Sequence, residues 1–173
     1  MRRVPGTSPA AFIAALAILA LSSAGCSNVA NALAGPTSAS AKYTTGGLEQ
    51  ETYSKVNTYR TSQGLCALAW NDALASQARQ HSADMANGVS GFGHDGFSAR
   101  VDAIVQVVAI SGAAENLAMT SGLSDPAGAV VSGWLSSPTH KPQIEGNFDL
   151  TGVGVAFASN GSIYFTQMYA KSR

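Results

Sequence analysis

The sequence predicts an α+β fold in which helices pack on a small antiparallel sheet. Three observations carry this. Two segments with helical periodicity come first, each closed by a glycine. A third helix opens at Asp125-Pro126. The last stretch is two apolar runs flanking Asn160-Gly161, a strong short-range signal for a β-hairpin. Helices first and a hairpin last place the helices on the faces of the sheet they enclose.

The first helix is expected from Leu48, where Leu48, Tyr53 and Val56 recur at roughly helical spacing and Gly64 supplies the residue beyond the end. Asn71 caps the second, Asp72 favours its first turn and Gly88 closes it. Leu74, Ala78, His81 and Met85 form its buried stripe. In the third, Asp125 caps, Pro126 takes the first helical position, Val130, Val131, Trp134 and Leu135 are apolar, and Pro138 stops it. The strands are expected at Gly152–Phe157 and Ile163–Tyr169. A two-residue type I′ turn at Asn160-Gly161 would place Phe157 opposite Tyr164 and Gly154 opposite Gln167.

The N-terminus reads as an export signal over residues 1–25. Arg2 and Arg3 precede an uncharged apolar run, Ala10 to Leu21, too short to span a bilayer as a helix. Ser23-Ala24-Gly25-Cys26 is similar to a bacterial lipobox, with Ser where Leu is usual, so lipidation of Cys26 is expected; cleavage without lipidation is the alternative. Diacylglyceryl and N-acyl chains on Cys26 would hold the protein on a membrane. Residues 26–47 lack charge and apolar periodicity and read as a flexible tether, leaving 48–171 as one domain. The only other cysteine, Cys66, lies in an apolar stretch and reads as a buried thiol acting as a small hydrophobe.

Net charge is +0 and charged residues make up 12% of the chain, which excludes sequence-independent nucleic-acid binding. A monomer is expected. No nucleophile elbow, no zinc-protease helix and no phosphate-cradling loop is present. Of the three histidines, His81 reads as structural. His94 sits in a glycine-rich loop and His140 follows a helix end, where functional groups tend to lie. Glu115 stands in an apolar context and needs a partner.

Read in order, the motifs resemble the CAP superfamily of cysteine-rich secretory proteins. They are Val56-Asn57-Thr58-Tyr59-Arg60, Leu68-Ala69-Trp70-Asn71 and Ala78-Arg79-Gln80-His81, then Gly93-His94-Asp95-Gly96-Phe97 with Arg100. Ala114-Glu115-Asn116-Leu117, Trp134-Leu135-Ser136-Ser137-Pro138-Thr139-His140 and Gly152-Val153-Gly154-Val155 follow, with Tyr164-Phe165-Thr166-Gln167 last. The resemblance covers essentially everything after the tether. It implies an α-β-α sandwich with a cleft lined by His94, Glu115 and His140, with Gln167 approaching only if its strand face points there. Departures are Ala114 for the family's Gly, Thr139-His140-Lys141 for Gly-His-Arg, and Gln143 where Asn is usual. The resemblance points to a non-enzymatic module that binds an apolar or cell-envelope ligand and requires no cofactor. The two imidazoles and the carboxylate are also compatible with a divalent metal at His94 and His140, hence with a metal-dependent hydrolase, or with acid–base work. A purely structural envelope protein is the remaining alternative.

Overall fold

The computed structural model describes residues 43–173. The export signal, Cys26 and most of the expected tether lie outside the described residues. Five helices and four strands follow in the order α1 (Thr45–Ser62), β1 (Ala69–Trp70), α2 (Asp72–Ala86), α3 (Phe97–Val105), β2 (Ile110–Ser121), α4 (Pro126–Ser136), α5 (Lys141–Glu145), β3 (Leu150–Phe157) and β4 (Ser162–Ser172). The sheet order is β1-β3-β4-β2, antiparallel except for the two-residue β1–β3 pair.

Local chemistry accounts for the helix limits. Thr44 accepts from the Gly47 N–H and starts α1 three residues before Leu48. Gly64 (φ +74) lets Leu65 N–H reach the Arg60 carbonyl, a Schellman closure. The Asn71 side chain accepts from Ala73 and Leu74 N–H, and Gly88 (φ +70) ends α2 in the same way as Gly64 ends α1. Asp125 accepts from Gly128 N–H ahead of Pro126.

One face of the sheet packs against α2 and α3 through Leu74, Ala78, Ile104, Ile110 and Met168. The other packs against α1 and α4 through Leu48, Val56, Val130, Trp134, Val153, Val155 and Phe165. This is the α-β-α arrangement. Gly152 and Gly154 make the first contact close: a Cβ on Gly154 would lie 2.1 Å from backbone atoms of Ala78 and Arg79. Beyond β1, the outer edge of β3 is covered rather than paired. Buried Glu49 of α1 accepts from Val155 N–H and is held by Arg79 of α2 at 2.7 Å.

The hairpin register differs from the expectation by one residue. Phe157 faces Ile163, Gly154 faces Thr166 and Gln167 faces Val153. The cause is the turn. Among the described residues no residue other than glycine has positive φ, so Asn160 does not adopt the left-handed form that type I′ demands. Gly161 N–H instead closes on the Ala158 carbonyl, Gly161 alone is left-handed (φ +83), and the Asn160 side chain accepts from Ser162 N–H. That is a type I turn followed by a one-residue bulge, which shifts every pair. Cys66 is a second correction: it is exposed, and its thiol is not free.

Candidate functional site

β2 is the strand on which the site is built, and its period of two is the key to it. Glu115 and Asn116 are neighbours, so their side chains leave the sheet on opposite faces. Glu115 pairs across β4 with Met168 and points to the α2–α3 side. Asn116 pairs with Gln167 and points to the α1–α4 side.

On the first side, the Glu115 carboxylate is almost fully buried, with its side chain 1% exposed, and its charge is matched by Arg100 of α3. Arg100 donates from Nε to Oε2 at 2.9 Å and from the terminal nitrogen to Oε1 at 2.8 Å, a bidentate pair. His94 Nδ1 lies 2.9 Å from Oε1. A carboxylate acceptor requires Nδ1 to carry the proton, which turns Nε2 away from the carboxylate. The imidazole is 55% exposed while its partner is not.

The loop that carries His94 is tied at three points. His81 Nε2–H donates to the Gly93 carbonyl at 2.9 Å, Phe97 N–H closes on the His94 carbonyl, and Arg100 donates to the Asp95 carbonyl. His81 is therefore the buried structural residue the stripe predicted, and it also positions its neighbour. Burial, and then the Arg100 charge, hold the His81 pKa below the ordinary histidine value.

On the second side, Asn116 Nδ2–H donates to the His140 carbonyl at 3.1 Å and to the Tyr169 hydroxyl. Trp134 Nε1–H donates to the Leu117 carbonyl and fixes α4 against the same strand. The His140 pKa is lowered by burial and next by the charge of His94. The two histidines thus stand within electrostatic reach of one another, from loops on either side of β2. A polar cleft lined by His94, Phe97, Ala113, Ala114, Glu115 and Gln143 lies at the strand edge. Further along β2 is an apolar groove of about 490 Å³, with Phe92, Met119, Leu123, Val130, Trp134 and His140 in its lining.

Gln167 is not brought to this cleft. It is fully buried on the α1–α4 side, where its amide donates to Thr151 Oγ1. The one-residue shift at the hairpin moved it there. Arg100 is the residue whose role sequence reasoning missed. The available signal was Glu115 itself, a carboxylate among apolar residues that needed a cation.

As a metal site the set is incomplete. Glu115 already accepts three hydrogen bonds from Arg100 and His94, so it orients an imidazole and is matched in charge by Arg100. Among the described residues no group of three or more His, Cys, Asp or Glu side chains could hold a metal ion. His94 and His140 alone do not make up a protein-borne metal site.

The model of the cysteine-rich secretory protein family, CAP, matches residues 53–169, which is well over half of the chain. The chain belongs to the CAP family. Solved structures share the fold of this CAP domain. An outer surface protein from Borrelia burgdorferi is 22% identical with a TM-score of 0.63, over 73% of this chain and 93% of that one. An extracellular protein containing a SCP domain from Bacillus anthracis is 28% identical with a TM-score of 0.61, over 74% of this chain and 41% of that one. A cysteine-rich secretory protein from Staphylococcus aureus is 19% identical with a TM-score of 0.59, over 74% of this chain and 39% of that one. The CAP domain thus spans about two fifths of the latter two chains. No curated protein matches the sequence.

Proposed function

We propose that this CAP domain is an exported, non-enzymatic binding module that takes an apolar or cell-envelope ligand at the β2 edge. The observation that carries the reading is the pairing of two surfaces on one strand. The His94–Glu115–Arg100 cluster marks a polar cleft, and the apolar groove running past Met119, Leu123 and Trp134 lies beside it. Three of the groove's large apolar side chains are open to solvent: Phe92 at 55%, Met119 at 52% and Leu123 at 43%. Exposed apolar surface in a concave setting marks a binding site more often than chance decoration. The Glu115 carboxylate is engaged by Arg100 and His94, which weighs against its acting as a base in hydrolysis.

The test is mass spectrometry of the lipids, other small molecules and peptides that co-purify with the full chain from its native host. Gly133→Leu serves as the control, because a side chain there enters open space. A ligand retained by the wild type and depleted in the variant is expected. Equal recovery from both, or none from either, refutes the reading.

Export is supported by the positive start, the apolar run and the surface or extracellular descriptions of two structural relatives. Attachment through a lipid on Cys26 is part of the proposal. The chain has two cysteines and the Cys66 thiol is not free. A Cys26 sulfur can carry a lipid or a disulfide, not both. The intact mass of the mature protein separates the two. Cys26→Ala should release the protein from the membrane fraction, and unchanged fractionation overturns the anchor.

A further inference from the structure

We propose that the apolar groove is a strand-addition site, and that its ligand is an extended polypeptide segment which pairs with the free edge of β2. This rests on the binding-module reading above and names the class of ligand.

The argument starts from which backbone groups point outward. Among the described residues β2 is the outer strand of the sheet and pairs with β4 alone. In an antiparallel ladder, residues alternate between bonding the neighbour and facing away from it. Four contacts fix the phase of that alternation. On β3, Val155 N–H is taken by Glu49 and the Thr151 carbonyl by Asn71 N–H, so odd-numbered β3 residues face away from β4. The register then gives the even-numbered β4 residues to β3 and the odd-numbered ones to β2. Phe165 faces Ala118 and Gln167 faces Asn116, so it is Glu115, Leu117, Met119 and Ser121 whose N–H and C=O point away from the sheet. The Leu117 carbonyl received by Trp134 Nε1–H, and Arg173 N–H on the Ala109 carbonyl at the strand's other end, agree with this phase.

Trp134 stops the free edge at Leu117. Beyond it, Met119 and Ser121 present main-chain donors and acceptors for which no partner is found among the described residues. Leu117 to Thr120 line the groove along this edge. One wall is Phe92, set against Tyr164 at 6.3 Å between ring centroids. The other is the α4 face carrying Ala129 and Gly133, four residues apart, whose small size leaves room for a backbone alongside.

An acyl chain would fill such a groove but leave the strand's polar groups facing hydrocarbon, an unfavourable exchange for their water. An extended peptide supplies the missing donors and acceptors, with the side chains on one face set against Met119 and those on the other against Val130 of α4. The groove therefore favours an extended peptide that is apolar on both faces.

The test uses the full chain, immobilised, and a display library of short peptides that carry a central apolar run. Binders are counter-selected on Gly133→Leu, whose side chain projects into the groove and whose helix is, if anything, favoured by the change. Peptides enriched on wild type over the variant are expected. N-methylation of the amides that pair with Met119 should weaken them about tenfold, and methylation of the alternate amides should not. Failure to enrich any peptide over Gly133→Leu overturns the inference, as does indifference to N-methylation. A fluorescent dodecanoate probe that binds wild type, is lost in Gly133→Leu and is not displaced by any peptide also overturns it. That last result would leave the binding-module reading standing with a lipid in the groove.

Discussion

Glu115→Gln tests whether the buried carboxylate is what organises the site. The replacement keeps volume and removes charge. The native side chain accepts from Arg100 Nε, from the Arg100 terminal nitrogen and from His94 Nδ1, at 2.9, 2.8 and 2.9 Å. An amide can accept at one end only, and its own N–H₂ would face donors. The Arg100 side chain, 10% exposed, would keep the Asp95 carbonyl and at most one bond to the amide oxygen, with no countercharge. Removing one member of a buried ion pair costs about 3–5 kcal/mol, chiefly because the other charge stays buried. The surviving Asp95 contact and the half-exposed His94 place the expected loss near the lower end, about 3 kcal/mol. Urea unfolding of wild type, Glu115→Gln, Arg100→Met and the double variant forms the cycle that measures it. The double variant should be more stable than Glu115→Gln alone, since it leaves no uncompensated charge. A loss under about 1 kcal/mol for Glu115→Gln, or additive single effects, would show that the pair is not coupled and that the site is held by its loops instead.

Gly154→Ala should destabilise the domain by about 1–3 kcal/mol in the same assay. Its Cβ would start 2.1 Å from α2 backbone atoms that cannot swing aside as a side chain can; a variant as stable as wild type would mean that α2 does not seat on β3 this closely. Stability should also fall as pH drops below about 6.5, the unfolded histidine value, toward the lower folded values of His81 and His140. Both are depressed by burial, so below that pH the unfolded chain binds more protons than the folded one; unfolding free energies that are flat from pH 7 to 5 would contradict the burial of these rings.

Much of the fold is legible in local chemistry. Asn71, Asp125-Pro126, Gly64 and Gly88 mark helix ends because caps and left-handed closures are decided within a few residues. β2 is not legible in the same way. It is buried on both sides around Glu115, Asn116 and Leu117, so it shows no alternation of apolar and polar residues, and a charge sits at its centre. α3 opens on Gly96 without a side-chain cap and offers no start signal. The hairpin was visible but its register was not. Asn160-Gly161 is equally compatible with a type I′ turn and with a type I turn plus bulge, and a single residue between them exchanges the faces of a strand.

That parity also explains why the site was only half readable. Glu115 announced its need for a partner through its apolar neighbours, but which residue answered depended on α3 lying across β2, fifteen residues back in the chain. The significance of Asn116 could not be read at all until β2 was known to be a strand. Only then do two consecutive residues serve opposite faces. One fixes the His94 ring through its carboxylate, and the other fixes the backbone at His140 through its amide. A slip of one residue between β2 and β4 would send Glu115 into the α1–α4 core and Asn116 toward Arg100, losing both contacts together. Gln167 shows the consequence on the partner strand: the register that brings His94 and Glu115 into contact is the one that buries Gln167 away from them.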